Sequence, residues 1–134
     1  MIFKYKYREK FYCYEKLSNG QTAYIGFNYT DYFNYLGYNV VFAIADKKKH
    51  IKAWLNAEPN DIDLNQTGRC GVEGLLWAKR KLKEFEEEVV SGRSYPQRIE
   101  LYGADSRRMK VYRHFLKDYT FSPFEHVLYK KFNF

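Results

Sequence analysis

The sequence predicts an α/β (α+β) fold, a mixed and mostly antiparallel central sheet flanked by helices. Three observations lead to it. Aromatic and β-branched stretches alternate with turn residues in the N-terminal half, a long amphipathic repeat follows a glycine-rich turn, and further strand and helix patterns complete the chain. At 134 residues the chain is expected to form one domain, residues 1–134.

The N-terminal segment predicts a β-hairpin preceded by another strand. Residues 3–8 alternate aromatic and basic side chains, the period of a strand with one wet face. Residues 11–17 and 22–27 are two further strand candidates. The Asn19-Gly20 pair between them predicts a hairpin, because both positions tolerate the positive φ of a type I′ turn.

The middle of the chain predicts a short helix and two strands. Residues 30–37, TDYFNYLG, offer a capping threonine and a terminal glycine, which favours a short helix or helical turn. Residues 40–45, VVFAIA, predict a strand buried on both faces. Residues 51–57, IKAWLNA, place apolar side chains at every second position and predict an antiparallel partner strand, joined by a turn at 46–50.

A long amphipathic helix is predicted after the glycine turn. Apolar residues recur from Val72 at spacings of three and four, and the helix is expected to end near Ser91 and Gly92. Glutamates occupy positions 86–88 in its last turns, where the helix dipole disfavours them. They are interpreted as a solvated face and not as catalytic carboxylates.

The C-terminal part predicts a strand, a helix and a last strand. Residues 98–103, RIELYG, form the first strand, which the preceding helix would connect in parallel to residues 51–57. Residues 106–117 carry an apolar stripe opposite a basic face and predict a second helix. Residues 125–134 alternate enough to form the final strand.

Composition narrows the classes of function. A formal net charge of +7 indicates attraction to an anionic partner, without choosing among nucleic acid, a phosphorylated cofactor, an acidic protein and a membrane. Cys13 and Cys70 form no CxxC or Cys/His cluster, and the three histidines show no ligand spacing, so no metal site or disulfide framework is expected. The charged N-terminus predicts neither a signal peptide nor a membrane span, hence a cytoplasmic protein.

The glycine turn itself is a candidate anion site. Residues 67–76, TGRCGVEGLL, open directly into the long helix, whose first N–H groups lack intrahelical partners and carry partial positive charge. Glycines there allow a phosphate to approach the backbone, and Arg69 could meet its charge. The alternative is that Gly68, Gly71 and Gly74 only shape a tight loop.

Residues 40–134 resemble the GNAT acyltransferase superfamily. The resemblance lies in the order of elements: a strand, a glycine turn at the start of an amphipathic helix, a second strand, and a helix ending in VYRHFLKDYTF. The resemblance implies that the turn wraps the pyrophosphate of acetyl-CoA and that two splayed parallel strands admit its pantetheine arm. The family signature is degenerate, with Cys70 or Glu73 at the expected small residue. The implied cofactor-binding residues are Thr67, Gly68, Arg69, Cys70, Gly71, Val72, Glu73 and Gly74; Lys79 and Arg80 could also meet its phosphates.

The resemblance also implies direct transfer of an acyl group to an amine, with no metal. Tyr112 is the first candidate to protonate the departing thiolate, and Tyr119 and His114 are the next candidates. The alternative is that Tyr112 is a core residue with no catalytic role. Glu58 is the candidate general base. The alternative is that Glu58 is only an exposed loop residue. The acceptor and the oligomeric state stay open.

Two other functions fit the same sequence. One is a basic, tyrosine-rich module that holds nucleic acid by stacking and phosphate contacts, supported by the net charge and the aromatic cluster of residues 29–38. The absence of a recognised nucleic-acid motif makes it the less favoured reading. The other is a catalytically inactive GNAT-like interaction protein.

Overall fold

The computed structural model describes residues 4–6, 10–56, 72–102 and 106–134 of the chain. Its strands are β1 Lys4–Lys6, β2 Lys10–Lys16, β3 Thr22–Asp31, β4 Leu36–Ala45, β5 Gln97–Tyr102, β6 Thr120–Ser122 and β7 Val127–Phe132. Its helices are α1 Lys48–Leu55, α2 Glu73–Phe85 and α3 Ser106–Phe115, and a π-helical turn Glu86–Val90 continues α2. The predicted long helix, second helix and last strand are confirmed.

The described strands form one sheet in the order β1-β2-β3-β4-β5-β7-β6. Among them, β4 and β5 are the one parallel pair, and every other neighbouring pair is antiparallel. The predicted mixed, mostly antiparallel sheet flanked by helices is therefore confirmed. The parallel partner of β5 was wrongly assigned, because residues 51–55 are helical and the buried strand β4 takes that place.

The hairpin predicted at Asn19-Gly20 joins β2 to β3. The N–H of Leu17 donates to the carbonyl of Gln21 at 2.8 Å, and the N–H of Gly20 donates to the carbonyl of Leu17 at 3.0 Å. Gly20 has a φ of 87°, whereas Asn19 does not adopt a positive φ. The expected type I′ turn is therefore wrong in detail: residues 18–20 form a three-residue loop with glycine in the left-handed position.

The helix predicted for residues 30–37 is wrong. Thr30 pairs with Gly37 at the end of the β3–β4 ladder, and only residues 32–35 connect the two strands. The N–H of Tyr32 donates to the carbonyl of Tyr35 at 2.9 Å, and their rings stack with centroids 4.8 Å apart. Strand pairing satisfies more backbone groups here than one helical turn would, and it overrides the local capping pattern.

The strand predicted for residues 51–57 is also wrong, since α1 includes residues 51–55; residue 57 lies outside the described residues. Ile51 is completely buried in a cluster with Tyr24, Ala43 and Ala45, and Leu55 packs against that cluster one turn later. Apolar residues at positions 51 and 55 satisfy the four-residue spacing of a helix as well as the alternation of a strand. β3 already pairs with the whole length of β4, so the antiparallel place beside β4 is taken and this segment covers a sheet face instead.

The helices divide the core between the two faces of the sheet. On one face, α2 and α3 cover the main core, in which Trp77, Leu82 and Phe85 pack against the strands. On the other face, α1 covers the smaller cluster around Ile51. The middle of the sheet, around β3 and β4, is thus covered on both faces by different helices.

The glutamates at the end of α2 have unequal roles. Glu87 and Glu88 are exposed, as the solvated-face interpretation requires. That interpretation is wrong for Glu86, which is partly buried and accepts hydrogen bonds from the hydroxyl of Tyr119 at 3.0 Å and the ammonium of Lys130 at 2.8 Å. The Glu86 carboxylate therefore fastens the end of the helix to the C-terminal strands.

A candidate binding cleft between two parallel strands

A cleft lies beside β4, past the end of its described pairing with β5. Their described pairing runs from Leu36 opposite Gln97 to Val40 opposite Leu101, whereas β4 continues to Ala45. A cavity of about 310 Å³ lies at this point. It is lined by Ile25, Asn39, Val40, Val41, Phe42, Trp54, Leu75, Ala78, Lys79, Leu82, Leu101, Tyr102, Arg108, Tyr112, Phe115 and Leu116.

Side chains from both faces of the sheet border this cleft. Val40 and Phe42 pack with the main core beneath α2 and α3, whereas Val41 packs with the cluster beneath α1. Trp54 of α1 and Tyr112 of α3 both line the cavity, although their helices cover opposite faces. The cavity is therefore bordered by residues from both faces of the sheet.

The walls of the cleft are mostly apolar, with two cationic side chains. Lys79 of α2 and Arg108 of α3 line it, and none of its described lining residues is acidic. Beyond Val40, the edge of β4 that faces β5 has no described strand partner, so its backbone groups can serve a ligand. The arrangement suits an elongated, largely apolar molecule that carries hydrogen-bonding amides and an anionic group.

Tyr112 lies on the wall of this cleft. It is partly buried, lines the cavity and also packs against the main core. Tyr119 is engaged elsewhere: burial, and then the carboxylate of Glu86, raise the pKa of Tyr119 well above its usual value. His114 is exposed beside Phe115 and does not line the cavity.

Five of the eight predicted turn residues lie outside the described residues, namely Thr67, Gly68, Arg69, Cys70 and Gly71. The candidate base Glu58 lies outside them as well. Of the remaining three, Val72 immediately precedes α2 and is exposed, Glu73 is its first residue, and Gly74 is buried. None of these three lines the cavity; the face of α2 that does so carries Leu75, Ala78, Lys79 and Leu82.

Glu73 joins α2 to the β2–β3 hairpin. Its carboxylate accepts hydrogen bonds from the backbone N–H of Ser18 at 2.7 Å and from the Ser18 hydroxyl. These two hydrogen bonds lower the pKa of Glu73 below its ordinary value. The carboxylate therefore stays ionised at neutral pH, and its negative charge at the first turn is favourable to the helix dipole.

Two features of the cleft were missed from the sequence. Arg108 lies four residues before Tyr112 on α3, a helical spacing that could have placed both on one face. Tyr102 lines the cavity at the end of β5, and its hydroxyl donates to Glu100 at 3.1 Å. Burial, followed by the charge of Glu100, raises the pKa of Tyr102 to about 12, which keeps this phenol protonated at neutral pH.

Comparison of the chain with protein-family models, curated proteins and solved structures finds no match to any of them. None of the described helices has the length and hydropathy needed to cross a bilayer. In the same described segments, His, Cys, Asp and Glu side chains form no group of three that could hold a metal ion. The candidate site is therefore defined by the geometry of the cleft alone.

Proposed function

We propose that this chain is an acyl-CoA-dependent N-acyltransferase, with acetyl-CoA as the donor, a GNAT-like fold and a cytoplasmic site of action. The cleft at the end of the parallel β4–β5 pair carries this proposal. It lies between the strand before α2 and the strand after it, with α2 and α3 as its walls. This is the relation of strands and helices from which the sequence resemblance implies a pantetheine site.

The chemistry of acetyl-CoA suits the cleft. Its pantetheine arm is an extended chain with two amides, which matches apolar walls beside the free edge of β4 beyond Val40. Its phosphates require cationic partners, and Lys79 and Arg108 provide two at the cavity wall. The predicted turn at residues 67–74 would add backbone N–H groups to the same end of the ligand.

The proposed reaction is direct transfer. The lone pair of a neutral amine attacks the thioester carbonyl, a C–N bond forms, and the C–S bond breaks as coenzyme A leaves. Tyr112 gives its proton to the departing thiolate, while a carboxylate takes the proton that the amine loses. Glu58 is the predicted base. Holding amine and thioester together in the cleft supplies much of the acceleration.

Acetyl-CoA is expected to raise the thermal stability of the protein. A ligand that binds only the folded state adds about 2.7 kcal/mol to the free energy of unfolding at roughly 100 times its dissociation constant. Thermal denaturation with acetyl-CoA, and with adenosine 3′,5′-bisphosphate as a control for its phosphates alone, measures this gain. No shift at saturating acetyl-CoA, or the same shift with the bisphosphate, would contradict the proposed donor site.

Neutralising Arg108 is expected to weaken acetyl-CoA binding about tenfold, since a hydrogen bond to a charged group contributes roughly 1.5 kcal/mol or more. The matched control is Arg107→Gln, because Arg107 is exposed on the same helix and does not line the cavity. Calorimetric titration of Arg108→Gln and Arg107→Gln with acetyl-CoA compares the two. Equal losses would show that net charge, not the cleft, attracts the cofactor.

A further inference from the structure

A second cavity, of about 280 Å³, lies between α1 and the tyrosine-bearing face of β2 and β3. It shares no lining residue with the cleft. We call it the lysine–tyrosine pocket, and its lining consists of Lys10, Tyr12, Tyr14, Tyr24, Lys48, Lys52, Leu55 and Asn56. The proposed acyl transfer makes no use of this pocket.

Positive charge is concentrated in the lysine–tyrosine pocket. Three of its lining residues are lysines and none is acidic. The ammonium of Lys48 lies 4.5 Å from the centre of the Tyr14 ring, and that of Lys10 lies 5.4 Å from the centre of the Tyr24 ring. The negative ring faces attract these cations. An anion in the pocket would be attracted by the lysine charges as well.

One tyrosine that lines the same pocket has a buried hydroxyl without a partner among the described residues. Tyr24 is only 1% exposed, and its hydroxyl has no hydrogen-bond partner among the described residues. The hydroxyl lies over Gly26, where a Cβ atom would come within 2.3 Å of it. Burial, with smaller contributions from Tyr14 and Tyr12, raises the pKa of Tyr24, so this phenol remains a proton donor. A ligand acceptor would satisfy it.

We propose that the lysine–tyrosine pocket binds the phosphate group of a small organic phosphate. A phosphate monoester carries a charge of about −1.5 to −2 and three strong acceptor oxygens. Three lysines and three tyrosines line the pocket, and these residue types carry the positive charge and the hydroxyl donors that a phosphate requires. A carboxylate offers one charge and two oxygens, which would satisfy fewer of these groups. The bounded volume favours a small molecule over an extended nucleic-acid strand.

Titration calorimetry with inorganic phosphate and with phenyl phosphate, at low salt and pH 8, tests this site. Saturable binding of one phosphate is expected, and Lys52→Gln should weaken it about tenfold through loss of a charge-assisted contact. The matched control is Lys49→Gln, because Lys49 is exposed on the same helix outside the pocket. Binding that is absent at about 10 mM phosphate, or equally weakened in both variants, would overturn the proposal.

Tyr24→Phe adds a test that does not depend on charge. It should weaken phosphate binding several-fold by removing a donor, while leaving unliganded stability unchanged or higher, because a buried hydroxyl without a partner is lost. Unchanged phosphate affinity in Tyr24→Phe would exclude the hydroxyl from the site. A single-stranded oligonucleotide that binds more tightly than phenyl phosphate and loses affinity equally in Lys49→Gln and Lys52→Gln would indicate a diffuse charged surface instead. Lys52→Gln should leave the acetyl-CoA shift intact, which separates this proposal from the proposed transferase activity.

Discussion

Replacing Phe85 by alanine is expected to lower the free energy of unfolding by about 3–5 kcal/mol. Phe85 is completely buried near the end of α2. Its ring stacks on Phe27 with centroids 3.8 Å apart, and Phe11 and Tyr38 meet it edge-on at 5.6 and 5.0 Å. The substitution removes these contacts and leaves a cavity that rigid strands fill poorly. Urea denaturation followed by circular dichroism measures the loss.

Phe124→Ala is the matched control for that substitution. Phe124 is 97% exposed in the turn between β6 and β7, so its replacement should change the free energy of unfolding by less than about 0.5 kcal/mol. A small loss for Phe85→Ala, close to that of the control, would mean that α2 is not held against the sheet by this aromatic cluster. The position of the cleft wall would then be in question as well.

Tyr112→Phe is expected to slow acyl transfer about 100-fold, the lower end of what a positioned general acid contributes. The ring that packs against the core is retained, and only the hydroxyl of this cleft-lining residue is lost. The thermal shift with acetyl-CoA should therefore persist. The measurement is release of free thiol from acetyl-CoA with a panel of primary amines, first for the unmodified chain and then for the variant.

Tyr95→Phe serves as the control for the hydroxyl, since Tyr95 is exposed and does not line the cleft. Full activity in Tyr112→Phe would assign the proton donor elsewhere, and Tyr102 would be the next described phenol to replace. Acetyl-CoA binding without thiol release for any amine would instead support the catalytically inactive alternative.

The elements predictable from the sequence are those whose apolar pattern favours one structure. The short apolar run at residues 40–45 favours a strand, the period of α2 favours a helix, and both were confirmed. Residues 51–57 were ambiguous, because Ile51 and Leu55 satisfy both the helical and the strand spacing. Residues 30–37 became the end of a hairpin, because pairing along the whole length of β3 and β4 outweighed the local capping pattern.

The candidate site, too, could be predicted from the sequence only in part. Tyr112 could be named from its place on a helical stripe, and Arg108 could have been found from the same spacing. The cleft itself could not, because it arises from the register at which β4 and β5 stop pairing. Nor could the engagement of Glu73 with Ser18, since those two residues lie 55 positions apart in the chain.

The parallel pairing of β4 with β5 also bears on the order in which the sheet assembles. Leu36 and Gln97 are 97 − 36 = 61 positions apart, whereas short loops join β2, β3 and β4 into a meander. Because closing a long loop costs more chain entropy, we expect the meander to form first and β5 to dock later. The cleft exists only at this late junction, so a molecule bound there would stabilise the final step of folding and leave the earlier meander unaffected.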